Sequence, residues 1–256
     1  MVIGHEVLGS GAQKVVIMHD WLGDHTNYDL ARPFFDVHRF SYAFIDLRGY
    51  GWSRALAGDH TAEEAASDVI ALADHLDWPR FHAVGHSMSS MIVQRLAVDA
   101  GTRVQSVVAA NPVPACGMQM PAEDVAFFES TITDETNYRI LLTEVCNREL
   151  SSRWVDYKLG QTRASADPAT RAAYLRMFNA TDFSADVQGL RTPFLVLLGE
   201  FDHESLRETN LRKTFGAWYP NAEFKTCLNA GHYPMQEMPA YYVAVIEAFM
   251  ARHSGG

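Results

Sequence analysis

The chain has 256 residues, 48% of them apolar, enough for one large domain or a domain with an insert around a sizeable core, and this excludes a disordered or fibrous protein. A net charge of -10, with no run of Lys and Arg that could follow a phosphate backbone, argues against nucleic acid as a partner. No stretch approaches a membrane span, Met1-Val2-Ile3-Gly4-His5-Glu6 carries no basic leader, and Cys116, Cys146 and Cys227 lack metal or redox spacing, so a soluble cytoplasmic protein with free thiols is expected.

Short β-rich runs alternate with helical patterns along the chain, which implies an α/β fold with a mostly parallel central sheet and helices on both faces. Residues 14–18 read as the first strand and 28–37 as a helical pattern. A strand at 40–47 leads into the turn Arg48-Gly49-Tyr50-Gly51-Trp52-Ser53, and Thr61 starts a helix to about 77 in which Glu64 completes a capping box. A strand at 81–85 runs into a helix at 87–98, and residues 104–110 are apolar enough for a central strand. Between 111 and 191 the pattern changes to helix-forming stretches rich in Phe, Tyr and Trp, until a β-signal returns at 193–198. Residues 112–190 therefore read as a helical cap inserted into a core made of 1–111 and 191–256. A helix at 205–217, a strand near 222–228 and an amphipathic helix at 239–252 complete the chain.

The sharpest feature is Gly85-His86-Ser87-Met88-Ser89, set between an apolar strand and a helix, where a strained turn can present a nucleophilic serine. The plainer alternative is a strand-to-helix junction whose Ser87 only caps the helix. A serine hydroxyl needs a neighbouring base, and the base needs a partner that fixes its tautomer. Among the 11 histidines, His232 follows the last expected strand in a loop, Asn229-Ala230-Gly231-His232, whereas His82 lies within a strand, His75 within a helix and His253 in the tail, which makes His232 the candidate base. Leu198-Gly199-Glu200-Phe201-Asp202 offers two carboxylates beyond a strand. Asp202, deeper in the loop, is preferred over Glu200, although Asp202 could instead cap a helix. The other place for an acid, after the preceding central strand, holds Asn111, which carries no charge. Backbone N–H groups of Met88 and Trp21, with Leu22 as the fallback, are the candidate donors to a developing oxyanion.

These pieces together resemble the α/β-hydrolase superfamily, in its branch of small esterases, cofactor-free haloperoxidases and carbon–carbon bond hydrolases. The resemblance rests on His19 and the loop after it, Asp46-Leu47-Arg48-Gly49-Tyr50-Gly51-Trp52-Ser53, the turn at Ser87, Asp202, and Gly231-His232, and it covers nearly the whole chain. It implies a hydrolase with the triad Ser87, His232 and Asp202, acting on a small apolar or aromatic ester through an acyl-enzyme, with no organic cofactor or metal. Carbon–carbon bond hydrolysis or perhydrolysis on the same triad is the alternative chemistry, and a cofactor-independent oxygenase or a ligand receptor the alternative class. Two positions depart from the family pattern: Asp20 where Gly follows the His, and Ser89 where Gly follows the nucleophile. Asp20 is expected to point away from the oxyanion or to pair with a cation. His19, Asp20, Asp24 and His25 offer metal-ligand atoms without the spacing of a zinc site. Phe127, Phe128, Tyr138, Trp154, Tyr157, Tyr174 and Phe178 either line an apolar substrate pocket or pack the insert.

Overall fold

The computed structural model describes residues 2–146 and 150–254. Its seven strands are β1 (His5–Leu8), β2 (Gln13–Met18), β3 (Phe40–Ile45), β4 (Phe81–His86), β5 (Val104–Ala110), β6 (Phe194–Gly199) and β7 (Ala222–Cys227). They form one sheet in the order β1-β3-β2-β4-β5-β6-β7. Only the β1–β3 pair is antiparallel; every other pair is parallel, so the strands from β2 onward carry their C-terminal ends to one edge. Every residue of β3, β4 and β6 is buried, which is why these segments read as continuous apolar runs rather than as alternating ones. β1 escapes a sequence reading because its four residues are too few for periodicity and lie half-exposed at the sheet edge.

Helix α1 (Ala62–His75) starts at Thr61, whose hydroxyl accepts the Glu64 N–H at 3.1 Å. The expected box is half formed, because the Glu64 carboxylate takes the N–H of His60 instead of that of Thr61. Helix α2 (Met88–Asp99) follows β4 directly. The helix expected at 28–37 is replaced by 3-10 turns at His25–Tyr28 and Arg32–Phe34. Pro33 has no N–H to continue a helical ladder, and the Asp36 carboxylate takes the N–H groups of His38 and Arg39, turning the chain into β3. The helix expected at 205–217 is likewise broken, into Glu204–Leu206, Glu208–Leu211 and Phe215–Trp218, with Arg207 extended between the first two. Leu206, Leu211 and Phe215 reach the core from separate turns.

Between β5 and β6 lie α3 (Ala122–Ser130), α4 (Glu135–Val145), α5 (Ser152–Ser165) and α6 (Pro168–Ala180). Asp134 and Ser151 cap α4 and α5 through their side-chain oxygens, and Pro168 opens α6. This insert is tied to the loop after β2. The Trp21 indole N–H donates to the Arg171 carbonyl at 2.8 Å, and the Thr162 hydroxyl donates to the Leu22 carbonyl at 2.5 Å. The C-terminal helix, Pro239–Arg252, has the bounds expected from its amphipathic pattern. Among the described residues no helix is long and apolar enough to cross a membrane.

Candidate active site

β4 ends at His86 and α2 begins at Met88, so the whole change of direction falls on Ser87, at φ 55° and ψ -117°. A non-glycine residue there stores roughly 1–3 kcal/mol of strain. The turn is held by the Ser87 N–H on the Ala110 carbonyl at 2.8 Å and the Ser90 N–H on the Ser87 carbonyl at 3.0 Å. Strand and helix approach so closely that a Cβ on Gly85 would lie 2.5 Å from the Ser89 carbonyl oxygen. Ser89 itself fits. Its hydroxyl accepts the His86 N–H at 2.9 Å, at the last residue of β4.

Two loops meet at this turn. His232, after β7, places Nε2 2.9 Å from Ser87 Oγ and Nδ1 2.8 Å from Asp202 Oδ2. Asp202, after β6, also accepts the His203 N–H on Oδ1 at 2.7 Å and the Asn111 amide on Oδ2 at 2.5 Å. The loops can meet because residue 199 is glycine: a Cβ there would stand 1.8 Å from the Gly231 carbonyl oxygen. The His232 backbone is fixed by its N–H on the Val145 carbonyl at 2.9 Å and by its own carbonyl, 2.6 Å from His86 Nε2. Glu200, the rival acid, is exposed and accepts the Asn229 N–H, so the structure brings Asp202 and not Glu200 to the imidazole. Burial disfavours the His232 cation, but the charge and hydrogen bond of Asp202, with Asp20 and Glu237 farther off, outweigh it and raise the pKa above the ordinary value. His86 is pulled the other way, down to about 3, because burial dominates; it is a neutral hydrogen-bonding group.

Of the two residues expected to donate to an oxyanion, Trp21 lies in the loop after β2 and Met88 opens α2. Among the described residues neither the Trp21 N–H nor the Met88 N–H has a hydrogen-bond acceptor. Asp20 is buried and does pair with a cation: its Oδ1 lies 3.7 Å from Lys158 Nζ, Tyr233 donates to its Oδ2 at 2.6 Å, and the Asn27 amide donates to Oδ1. Lys158 and Asn111 are the residues that sequence reasoning missed or set aside. A lysine on a helix ordinarily signals a solvated face, and nothing in the chain marks this one as fully buried.

Ser87 and His232 open onto a cavity of about 350 Å³ that is mostly apolar, with Trp21, Leu22, Met118, Met120 and Leu141 in its wall. Of the aromatic residues singled out in the insert, Phe127, Phe128 and Phe178 line this cavity. Tyr138 and Tyr174 are core residues, Tyr157 is exposed, and Trp154 packs edge-on against Tyr233. Among the possible metal ligands, Asp24 and His25 meet Asp46 rather than His19 and Asp20. Asp46 is already engaged by the backbone N–H and Nδ1 of His25 and by the Trp52 N–H. His19 spans Asp20 and Leu47 through their backbones.

Residues 15–245 match the model of the Alpha/beta hydrolase family. The dihydrolipoyllysine-residue acetyltransferase component of the acetoin cleaving system of Cupriavidus necator is 34% identical over 106 residues, 41% of this chain, and the match spans only 28% of that relative's length. A pimeloyl-[acyl-carrier protein] methyl ester esterase of Nitrosomonas europaea is 25% identical over 95% of this chain and 97% of its own. Among solved structures, a bromoperoxidase of Bacillus anthracis shares the fold with a TM-score of 0.85 at 20% identity, covering 96% of this chain and 94% of that one. With the family match running through sheet, insert and both site loops, the chain belongs to the alpha/beta hydrolase family.

Proposed function

We propose that the protein is a cytoplasmic serine hydrolase that cleaves a small, apolar or aromatic carboxylic ester through an acyl-enzyme. The observation that carries this reading is the hydrogen-bond chain Asp202–His232–Ser87 at the wall of an apolar cavity. His232 Nε2 takes the proton from Ser87 Oγ as the oxygen attacks the ester carbonyl, and Asp202 stabilises the imidazolium that forms. The N–H groups of Trp21 and Met88 hold the oxyanion. Collapse of the tetrahedral intermediate expels the alcohol with the proton from His232. Water, deprotonated by the same imidazole, then releases the acid. The insert acts as a cap that walls the acyl site with Phe127, Phe128 and Phe178. The esterase among the full-length relatives supports ester chemistry, and three free cysteines support a reducing setting.

The test is intact-mass spectrometry after incubation with a fluorophosphonate. One adduct on the wild type, absent from Ser87→Ala, is expected. Ester turnover should fall by about four to six orders of magnitude in Ser87→Ala and in His232→Ala with the circular dichroism unchanged. Near-normal turnover in folded Ser87→Ala sinks the reading.

A further inference from the structure

The loop that carries the proposed oxyanion donor is held from the insert at Asp20, Trp21, Leu22, Thr26 and Asn27. Thr162 holds the Leu22 carbonyl, the Arg171 carbonyl holds the Trp21 indole, and the Gln161 amide donates to the Thr26 hydroxyl at 2.6 Å. The Arg171 guanidinium also lies 4.8 Å from the Trp21 ring centroid. Within this grip sits one charged pair. Asp20 is 1% exposed and Lys158 0%. The Lys158 ammonium donates to Asn27 Oδ1 at 2.5 Å and to Gln161 Oε1 at 2.9 Å, and it stands 4.5 Å from the Tyr233 ring centroid. Asn27 therefore bridges the ions, its carbonyl oxygen on Lys158 and its amide on Asp20.

We propose that Lys158 is a positioning residue for the reaction: it neutralises Asp20 from across the fold, and so permits a carboxylate immediately beside the amide that binds the oxyanion. The inference rests on the serine-hydrolase reading of Ser87.

Three features carry it. Asp20 precedes Trp21 in the chain and lines the same cavity as Ser87 and His232, so its charge is part of the electrostatic surroundings of the reacting carbonyl. A negative charge there opposes the negative charge that develops on the substrate oxygen, and in a buried site the opposition is weakly screened. Asp20 also remains ionised. Burial pushes its pKa up, but the charge of Lys158 and the hydrogen bonds of Tyr233 and Asn27 outweigh burial and hold it well below the ordinary carboxylate range. Removing the ammonium leaves the donors from Tyr233 and Asn27 in place, and with them a carboxylate whose charge is no longer cancelled.

Turnover of a p-nitrophenyl ester is compared in wild type, Lys158→Met, Asp20→Asn and Asp20→Asn/Lys158→Met, with the rate of fluorophosphonate labelling of Ser87 measured on each. Lys158→Met is expected to lower kcat on the order of a hundred-fold with KM within about threefold, since ground-state binding in the apolar cavity is untouched. The double variant should recover to within about tenfold of wild type; a lysine that serves only the fold would instead lower the fraction of folded protein and leave kcat per labelled Ser87 unchanged. If Lys158→Met alone fails to fold, the comparison of Asp20→Asn with the double variant decides. Loss of the lysine should be silent, within about threefold, once the carboxylate is gone. A near-normal Lys158→Met, or a tenfold loss on removing Lys158 in the Asp20→Asn background, overturns the proposal while leaving Ser87 as nucleophile. Absence of any adduct on the wild type overturns the serine-hydrolase reading and the proposal with it.

Discussion

Asn111 donates its side-chain amide to Oδ2 of Asp202 at 2.5 Å, the same oxygen that accepts from Nδ1 of His232 at 2.8 Å. Asn111 sits one residue beyond β5 at φ 47°, where its amide also reaches the Gly231 carbonyl at 3.2 Å. It thus fixes both Asp202 and the loop that bears His232. Asn111→Ala is expected to reduce kcat/KM by about tenfold, roughly 1.4 kcal/mol of transition-state stabilisation, with little change in KM. Asn111→Asp should do more harm, because two carboxylates so close share a proton and compete for the imidazole. Steady-state kinetics on folded variants check both, and wild-type rates in Asn111→Ala would show that the His203 N–H alone suffices to hold Asp202.

The pH profile follows from His232. In the proposed mechanism its neutral form is the base, and its pKa is raised: burial opposes the cation but Asp202 prevails. The proton is therefore lost at a pH above the 6.5 of an ordinary imidazole, and kcat/KM should rise through a midpoint above that value as pH increases. Asp202→Asn removes the charge that lifts the pKa, so the midpoint should move down while the plateau falls by about four orders of magnitude. His86, neutral above about 3, adds no second step to this limb. A wild-type midpoint below 6.5 contradicts the assignment of His232.

Much of this site is legible in the chain because its parts are local. The turn at Ser87 needs only a buried strand, a small residue at 85 and a helix start, and the loops after β6 and β7 announce themselves by the apolar runs before them. What the chain conceals is long-range. Lys158 meets Asp20 from 138 positions farther along the chain, and its burial depends on how α5 seats on the loop after β2. The expected helices at 28–37 and 205–217 fail for the opposite reason, since Pro33 and the extended Arg207 are local interruptions that a broad apolar pattern overrides on paper.

Ser89 gives a stability prediction. It departs from the glycine of the family pattern, yet its hydroxyl accepts the His86 N–H at 2.9 Å and lies 3.2 Å from the Met18 carbonyl. Ser89→Ala leaves a buried N–H without its acceptor and should lower stability by about 1–3 kcal/mol. Ser89→Gly should be at least as damaging, adding backbone freedom in the first turn of α2. Chemical denaturation of the two variants measures this, and unchanged midpoints would show that the turn relaxes to satisfy the amide elsewhere.

The aromatic wall of the cavity gives the last prediction. Phe128 is half-buried, its ring centroid 6.0 Å from that of Trp21 and 6.2 Å from that of Phe127, so it closes the cavity from the insert side. Phe128→Ala should lengthen the apolar space without touching Ser87, His232 or Asp202. Each methylene newly buried there contributes about 0.8 kcal/mol. Two further methylenes on the acyl chain should therefore shift kcat/KM toward the longer ester by roughly tenfold relative to wild type, while the shortest ester loses a little through poorer positioning. The series must be run twice, once varying the acyl chain and once the alcohol. A shift that follows the acyl chain places the acid portion against Phe128. A shift that follows the alcohol reverses the orientation of the ester in the cavity, and no shift in either series removes Phe128 from the binding surface.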